Sequence, residues 1–188
     1  KVPLIITKCI EEVEKRGLDV EGIYRLSGGN SAITAIENAF AGIPANGAKD
    51  KRLLAKLNDV LGGDINAVTS ALKRYLRKLP DPLIPFALYD AFIRVGQRKS
   101  DDIETCNELR TRVLNRLPSA NMHAVYMIGK HLNQVNQYNH VNRMNFKNLS
   151  VVFAPTIARD ATGEKEMADM GPRNEATELL FSLFNSRL

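Results

Sequence analysis

Tryptophan is absent from this 188-residue sequence, and aromatic residues make up only 6% of it. No aromatic and basic residues interleave along a strand, so nothing suggests a stacking platform for single-stranded nucleic acid. Cysteine is scarce as well. Cys9 and Cys106 stand far apart and no CxxC pair occurs, which excludes a disulfide scaffold and a zinc knuckle. Both fall on apolar helical stripes, where reduced, buried thiols are expected. Long apolar runs are missing too. None reaches the roughly 18 residues that a membrane span needs, and no basic-then-apolar opening with a small-residue cleavage site marks a secretory signal.

Enzyme signatures are equally sparse. There is no HExxH, and His123, His131 and His140 are spaced for no common metal site, so no metal is expected. His123 and His131, eight apart, could share a helix face, where a structural role is the ordinary one. Residues 42–49 read GIPANGAK, a near miss for a phosphate loop. That loop needs a Lys directly after its second Gly, then Ser or Thr, and a strand before it. No GxSxG elbow and no Cys–His pair with local support can be argued.

What the sequence does have is helical spacing. Hydrophobic residues make up 44% and charged residues 25%, an ordinary globular mixture, and the length fits one domain with one sizeable core. The opening Lys1-Val2-Pro3 reads as the middle of a longer protein, so residues 1–188 are expected to be one domain trimmed at its N-terminus. Val2, Ile5, Ile6, Cys9, Ile10 and Val13 form a first stripe that Gly17 stops. Asn30 or Ser31 can cap a second helix bearing Ile33, Ile36 and Phe40. Leu53, Leu54, Leu57, Val60 and Leu61 give a third, stopped by Gly62-Gly63. Asp64 or Asn66 opens the most regular one, with Ala67, Val68, Ala71, Leu72, Tyr75, Leu76 and Leu79 on one broad face before Pro80-Asp81-Pro82.

Beyond it, Leu88, Phe92 and Val95 mark a short helix. Ile103, Cys106, Leu109, Val113 and Leu117 mark another, ended by Pro118. Ser119 caps a long one reaching Val135. Asn145 caps a helix over 146–153 that Pro155 ends, and residues 175–184 close the chain as a last helix. The weakly hydrophobic stretch 158–173 is expected to be a mobile loop. Strand alternation appears nowhere over a useful length. The fold class is all-α, a single bundle of about eight or nine helices.

Three segments carry candidate chemistry. In the first, residues 21–29, Arg25 sits on a short connection between helices. Gly22, Gly28 and Gly29 permit unusual backbone there. Ile23, Tyr24 and Leu26 can pin the connection to the core while Arg25 points out, as a projected guanidinium or a plain surface arginine. The second is the polar face of the helix over 67–79. Lys73 and Arg77 lie four apart on one side with Arg74 and Lys78 beside them. This patch suits phosphates or carboxylates, or is a solvated face favoured by the helix dipole. The third is 142–157, where Asn148 lies among apolar residues and its amide needs a partner, inside the domain or outside it. The net charge of +5 suits nucleic acid, an anionic membrane or an acidic protein.

Together and in this order, VEGIYRLSG, LKRYLRKLPDPLIP and MNFKNLSVVFAPTI resemble the Rho-type GTPase-activating (RhoGAP) family, and VPLIITKCIEEVEKRGL resembles the helix before its first motif. The likeness covers about 90% of the chain. It implies an all-helical fold and an arginine finger at Arg25. It also implies partner contacts from Lys73, Arg77, Asn148 and the apolar Val151. Ala154 stands where many members have Gly. By the same resemblance the partner is a Rho, Rac or Cdc-type small GTPase in its GTP-bound state. That partner holds GTP and Mg²⁺, so the chain carries no cofactor of its own and has no stand-alone catalysis. A monomer in the cytoplasm is expected, with any recruitment to membranes left to regions outside this chain. Two rivals remain: a non-catalytic GTPase-binding module on the same fold, and a basic helical binder of nucleic acid or membrane surfaces.

Overall fold

A computed structural model of the chain describes residues 2–44 and 49–185. Among the described residues there are ten α-helices, a short 3₁₀ turn and no strand. The helices are α1 (Leu4–Arg16), α2 (Asn30–Ala41), α3 (Lys51–Leu61), α4 (Ile65–Arg77) and α5 (Phe86–Gln97). They continue with α6 (Ile103–Arg112), α7 (Ser119–Gln137), α8 (Asn139–Asn142), α9 (Phe146–Ile157) and α10 (Glu166–Ser182). The count exceeds the sequence expectation partly because α8 is a single turn. Residues 45–48, the middle of the GIPANGAK stretch, lie outside the described residues.

The most regular apolar stripe becomes the centre of the bundle. One side of α4 buries Ala67, Val68, Ala71, Leu72 and Leu76. It packs against α1, α2 and α9, while α10 packs against α5, α7 and α9. Asp64 caps α4 by accepting from the Asn66 N–H at 3.0 Å, and Asn145 caps α9 by accepting from the Asn148 N–H at 2.8 Å. Each supplies one of the acceptors a helix start lacks. Tyr24, Phe92, Phe153 and Phe181 are among the largest fully buried side chains. Cys9 is buried, and burial pushes its thiol up to about 12; Cys106 is half-buried, and both thiols are free.

Several local expectations change. Gly29, not Asn30 or Ser31, precedes α2, and neither side chain caps it. Ser119 lies inside α7, which Pro118 precedes; proline suits a helix start because the first N–H groups have no partner there. Pro155 does not end α9, which runs two residues further. The proline supplies no N–H to the Val151 carbonyl, and both residues are exposed. Ile103 is 81% exposed, and the stripe it was read into stops at Arg112, with a separate turn at Leu114–Arg116.

The largest change is at 158–173, where α10 already begins at Glu166. Arg173 is buried, pairs with Glu166 and donates to the Ala158 carbonyl. The Tyr89 hydroxyl donates to Asp169 at 2.9 Å. Buried charge and a proline, Pro172, hide this half-helix from an apolar-periodicity reading.

Candidate functional site

The connection from α1 to α2 is held at several points. Gly17 N–H bonds the Val13 carbonyl at 2.7 Å to close α1. Asn142, fully buried at the end of α8, then clamps the connection. Its side-chain amide donates to the Leu18 and Val135 carbonyls at 2.9 Å each. Its own carbonyl accepts from Gly22 N–H at 2.8 Å, and its side-chain oxygen accepts from Met144 N–H at 2.8 Å. One residue thereby fixes both the connection and the approach to α9.

Two left-handed residues bend the connection. Gly22 has φ 76° and Tyr24 has φ 71°. For glycine this is cheap, whereas a tyrosine there costs about 1–2 kcal/mol. The Arg25 N–H closes a turn on the Gly22 carbonyl at 2.9 Å. Past the turn, Gly28 meets α4 directly. A Cβ at Gly28 would lie 2.5 Å from both the Cα and the N of Ala67, and the Gly28 N–H bonds the Ser70 hydroxyl at 3.1 Å. Only glycine permits that approach.

Ile23 and Tyr24 are fully buried, as expected of pinning residues, but Leu26 is 41% exposed and does not pin the connection. Arg25 is exposed, and its guanidinium has no hydrogen-bond or ion-pair partner among the described residues. One of its Nη atoms lies 3.2 Å from where a Cβ on Gly22 would stand. The side chain thus lies over a residue too small to obstruct it.

The basic pair on α4 is divided in its employment. Lys73 is half-buried, and its ammonium donates to the Tyr24 carbonyl at 2.5 Å. That carbonyl belongs to the peptide leading into Arg25. Burial, and then the neighbouring Arg77, lower the pKa of Lys73. Arg77 is exposed; its backbone carbonyl, with those of Leu79 and Pro80, accepts from the Arg159 guanidinium at 2.9, 2.6 and 3.4 Å. Arg159 thus ties the end of α4 to the end of α9. Of the flanking cations, Arg74 pairs with Glu37 at 2.9 Å and Lys78 reaches the same carboxylate at 3.5 Å. They hold α2 against α4.

On α9, Asn148 is exposed and its side-chain amide makes no hydrogen bond among the described residues. Val151, one turn further, is 47% exposed. Beneath them, Phe153 sets its ring edge-on to Tyr24 at 5.1 Å. The connection bearing Arg25 therefore touches both α4 and α9, and α4 packs on α9. The three segments singled out in the sequence meet. Asn142, Arg159 and the buried contact of Tyr24 with His131 were not singled out. Their roles depend on carbonyls and rings distant in sequence, and no local pattern carries that information. Among the described residues, no cluster of His, Cys, Asp and Glu could hold a metal ion, and no helix is long and apolar enough to cross a membrane.

The chain belongs to the RhoGAP domain family, whose profile matches residues 3–162. It is 36% identical to the Rho-type GTPase-activating protein 2 of Saccharomyces cerevisiae over 95% of this chain and 20% of that protein. Its fold is similar to the BH domain from GRAF, the GTPase regulator associated with focal adhesion kinase. There the TM-score is 0.77 and the identity 30%, over 97% of this chain and 93% of that one. It is also similar to the human Rho GTPase activating protein 15, with a TM-score of 0.80 and 31% identity over 97% and 82% of the two chains. The chain spans about a fifth of the length of the first curated relatives it matches.

Proposed function

We propose that this domain stimulates GTP hydrolysis by a Rho-family small GTPase and that Arg25 is the finger inserted into the partner's active site. The observation that carries this reading is Arg25 itself: an exposed, unpaired guanidinium on a connection that is buried at Ile23 and Tyr24 just before it and bonded to α4 through Lys73 and Gly28 on either side. A finger must be free at its tip and fixed at its base, because catalysis by positioning loses its effect when the charged group wanders.

The chemistry follows from the charge that develops on the transferring phosphoryl group. The partner, in its GTP-bound state, holds nucleotide and Mg²⁺ and orients the attacking water. A planar, permanently charged guanidinium entering from outside neutralises charge on the phosphoryl oxygens. Such a group supplied in trans is worth about 10³–10⁵ in rate, or about 4–7 kcal/mol of barrier. This chain contributes one residue to a site that the partner builds, so it acts as a monomeric activator and hydrolyses nothing alone. Arg77, Asn148 and Val151 supply a cation, an amide and an apolar contact for docking. Lys73 lends charge to the same surface while bracing the Tyr24 carbonyl.

The test is single-turnover hydrolysis by a panel of GTP-loaded Rho, Rac, Cdc, Ras and Arf-type GTPases with and without the domain. Acceleration of Rho-family members by a factor of about 10³ or more is expected. Binding without acceleration would favour a non-catalytic module instead. Salt-sensitive binding to bare DNA or anionic vesicles, with neither effect on GTPases, would favour the basic-surface reading.

A further inference from the structure

The turn before Arg25 does not explain why a tyrosine stands at position 24. The place is the third of the Gly22–Arg25 turn, where φ is 71° and glycine fits best. The reason must lie in the side chain, which is fully buried. Its ring meets the edges of His131 and Phe153 at 5.5 and 5.1 Å. Its hydroxyl lies 2.5 Å from Nε2 of His131, a residue in the middle of α7 that is itself buried. Burial holds the hydroxyl in its neutral form by raising its pKa. Nδ1 of His131 faces the Glu14 carboxylate at 3.5 Å, which favours the ring proton on Nδ1 and leaves Nε2 to accept from the Tyr24 hydroxyl.

We propose that His131 is a positioning residue for the GTPase-activating reaction. By accepting the Tyr24 hydroxyl it fixes the left-handed turn that aims Arg25, without touching the partner. The inference rests on the reading of Arg25 as the finger. Tyr24 is bonded at both ends: Lys73 holds its carbonyl on the finger side, and His131 holds its hydroxyl in the core. Without the second bond the ring still fills its place among Phe153 and its neighbours. The peptide leading into Arg25 then keeps the Lys73 bond to its carbonyl and the turn bond from its N–H to Gly22 but loses its polar anchor in the core, while the unfavourable φ still pulls the turn toward ordinary backbone. A misplacement of about 1 Å can cost a catalytic group about 10²-fold in rate.

The experiment is a double-mutant cycle on single-turnover hydrolysis by the GTPase that the wild-type domain stimulates best. It uses Tyr24→Phe, His131→Leu, their combination and His131→Gln, with rates expressed per folded molecule. Each of the first two variants is expected to lower the rate at saturating domain about 5- to 50-fold while moving the half-saturating concentration less than about twofold. The double variant should be no slower than the worse single one, because one bond is lost in each case. His131→Gln, whose amide oxygen can accept from the hydroxyl, should stay within about threefold of wild type.

Tyr24→Phe keeps the ring, so it answers the question even if His131→Leu folds poorly. Wild-type saturated rates in Tyr24→Phe, with only the melting temperature lowered, would make the bond structural and overturn the proposal. Losses that multiply in the double variant would overturn it as well. Failure of the wider reading looks different: the wild-type domain would itself accelerate no GTPase, or would lose nothing on Arg25→Ala, and the positioning role would fall with it.

Discussion

Lys73 and Arg77 lie one helical turn apart, yet the fold gives them different work, and their substitution should separate two kinetic quantities. Arg77 is exposed and only its backbone is used within the domain. Arg77→Ala should raise the half-saturating concentration in stimulated hydrolysis about tenfold and leave the saturated rate within about twofold of wild type. Lys73 braces the Tyr24 carbonyl, so Lys73→Ala should lower the saturated rate as well as the affinity. Titrating each variant into a fixed amount of GTP-loaded partner measures both numbers. Equal behaviour of the two variants would mean that the contact between Lys73 and Tyr24 does not matter for the rate. At this level the sequence pointed to Arg25, Lys73, Arg77 and Asn148 by motif and spacing, and to Val151 only through the family resemblance; their roles toward a partner stand as proposed. The bracing role of Lys73 was not legible, because it runs to a carbonyl 49 positions away, and carbonyls look alike in every sequence.

Helix α4 was the most legible element because its apolar face is wide and its start is capped by Asp64. Helix α10 was half hidden, for the opposite reason. Its first turns carry Glu166, Asp169 and Arg173, which pair with each other or with Tyr89 and Ala158 rather than burying apolar surface, and Pro172 reads as a break. The structure shows what Pro172 meets. A Cβ on Gly96 of α5 would stand 1.8 Å from the Pro172 carbonyl oxygen, so the two helices touch backbone to backbone. Gly96→Ala must force them apart. The expected cost is about 1–3 kcal/mol or more of stability, read as a drop in urea midpoint with the slope unchanged. The saturated rate of the remaining folded protein should stay near wild type, since neither α5 nor α10 carries a proposed contact residue. An unchanged midpoint would contradict the close approach.

The whole chain carries a formal charge of +5, and part of its unpaired positive charge stands on the face proposed for docking. Arg74, Lys78, Arg98, Arg159 and Arg173 are engaged with carboxylates or carbonyls inside the domain, whereas Arg25 and Arg77 are exposed and free on the face built by α4, α9 and the connection after α1. Association with an acidic partner surface should therefore weaken with salt, since screening at about 0.1 M already acts over about 10 Å. Raising salt from about 0.05 to 0.3 M should increase the half-saturating concentration several-fold and leave the saturated rate nearly unchanged. A saturated rate that fell in step with affinity would place the electrostatics in the chemistry instead of the encounter. The all-helical class was plain from periodicity alone, because no segment alternated. The way three separate segments converge was supplied only by the resemblance, since periodicity says which face of a helix is buried but not against what.

The central claim concerns Arg25, and the most direct measurement compares wild type with Arg25→Ala in two assays on one Rho-family GTPase. One is the single-turnover rate at saturating domain. The other is affinity for the partner loaded with a GTP analogue and with GDP–aluminium fluoride, whose planar fluoride stands in for the transferring phosphoryl group. The side chain is exposed and unpaired, so its removal should change stability by less than about 0.5 kcal/mol. The rate should fall by about 10³-fold or more, affinity for the GTP-analogue complex should survive, and affinity for the fluoride complex should drop much further. Near-normal acceleration by Arg25→Ala, with both affinities intact, would contradict the account.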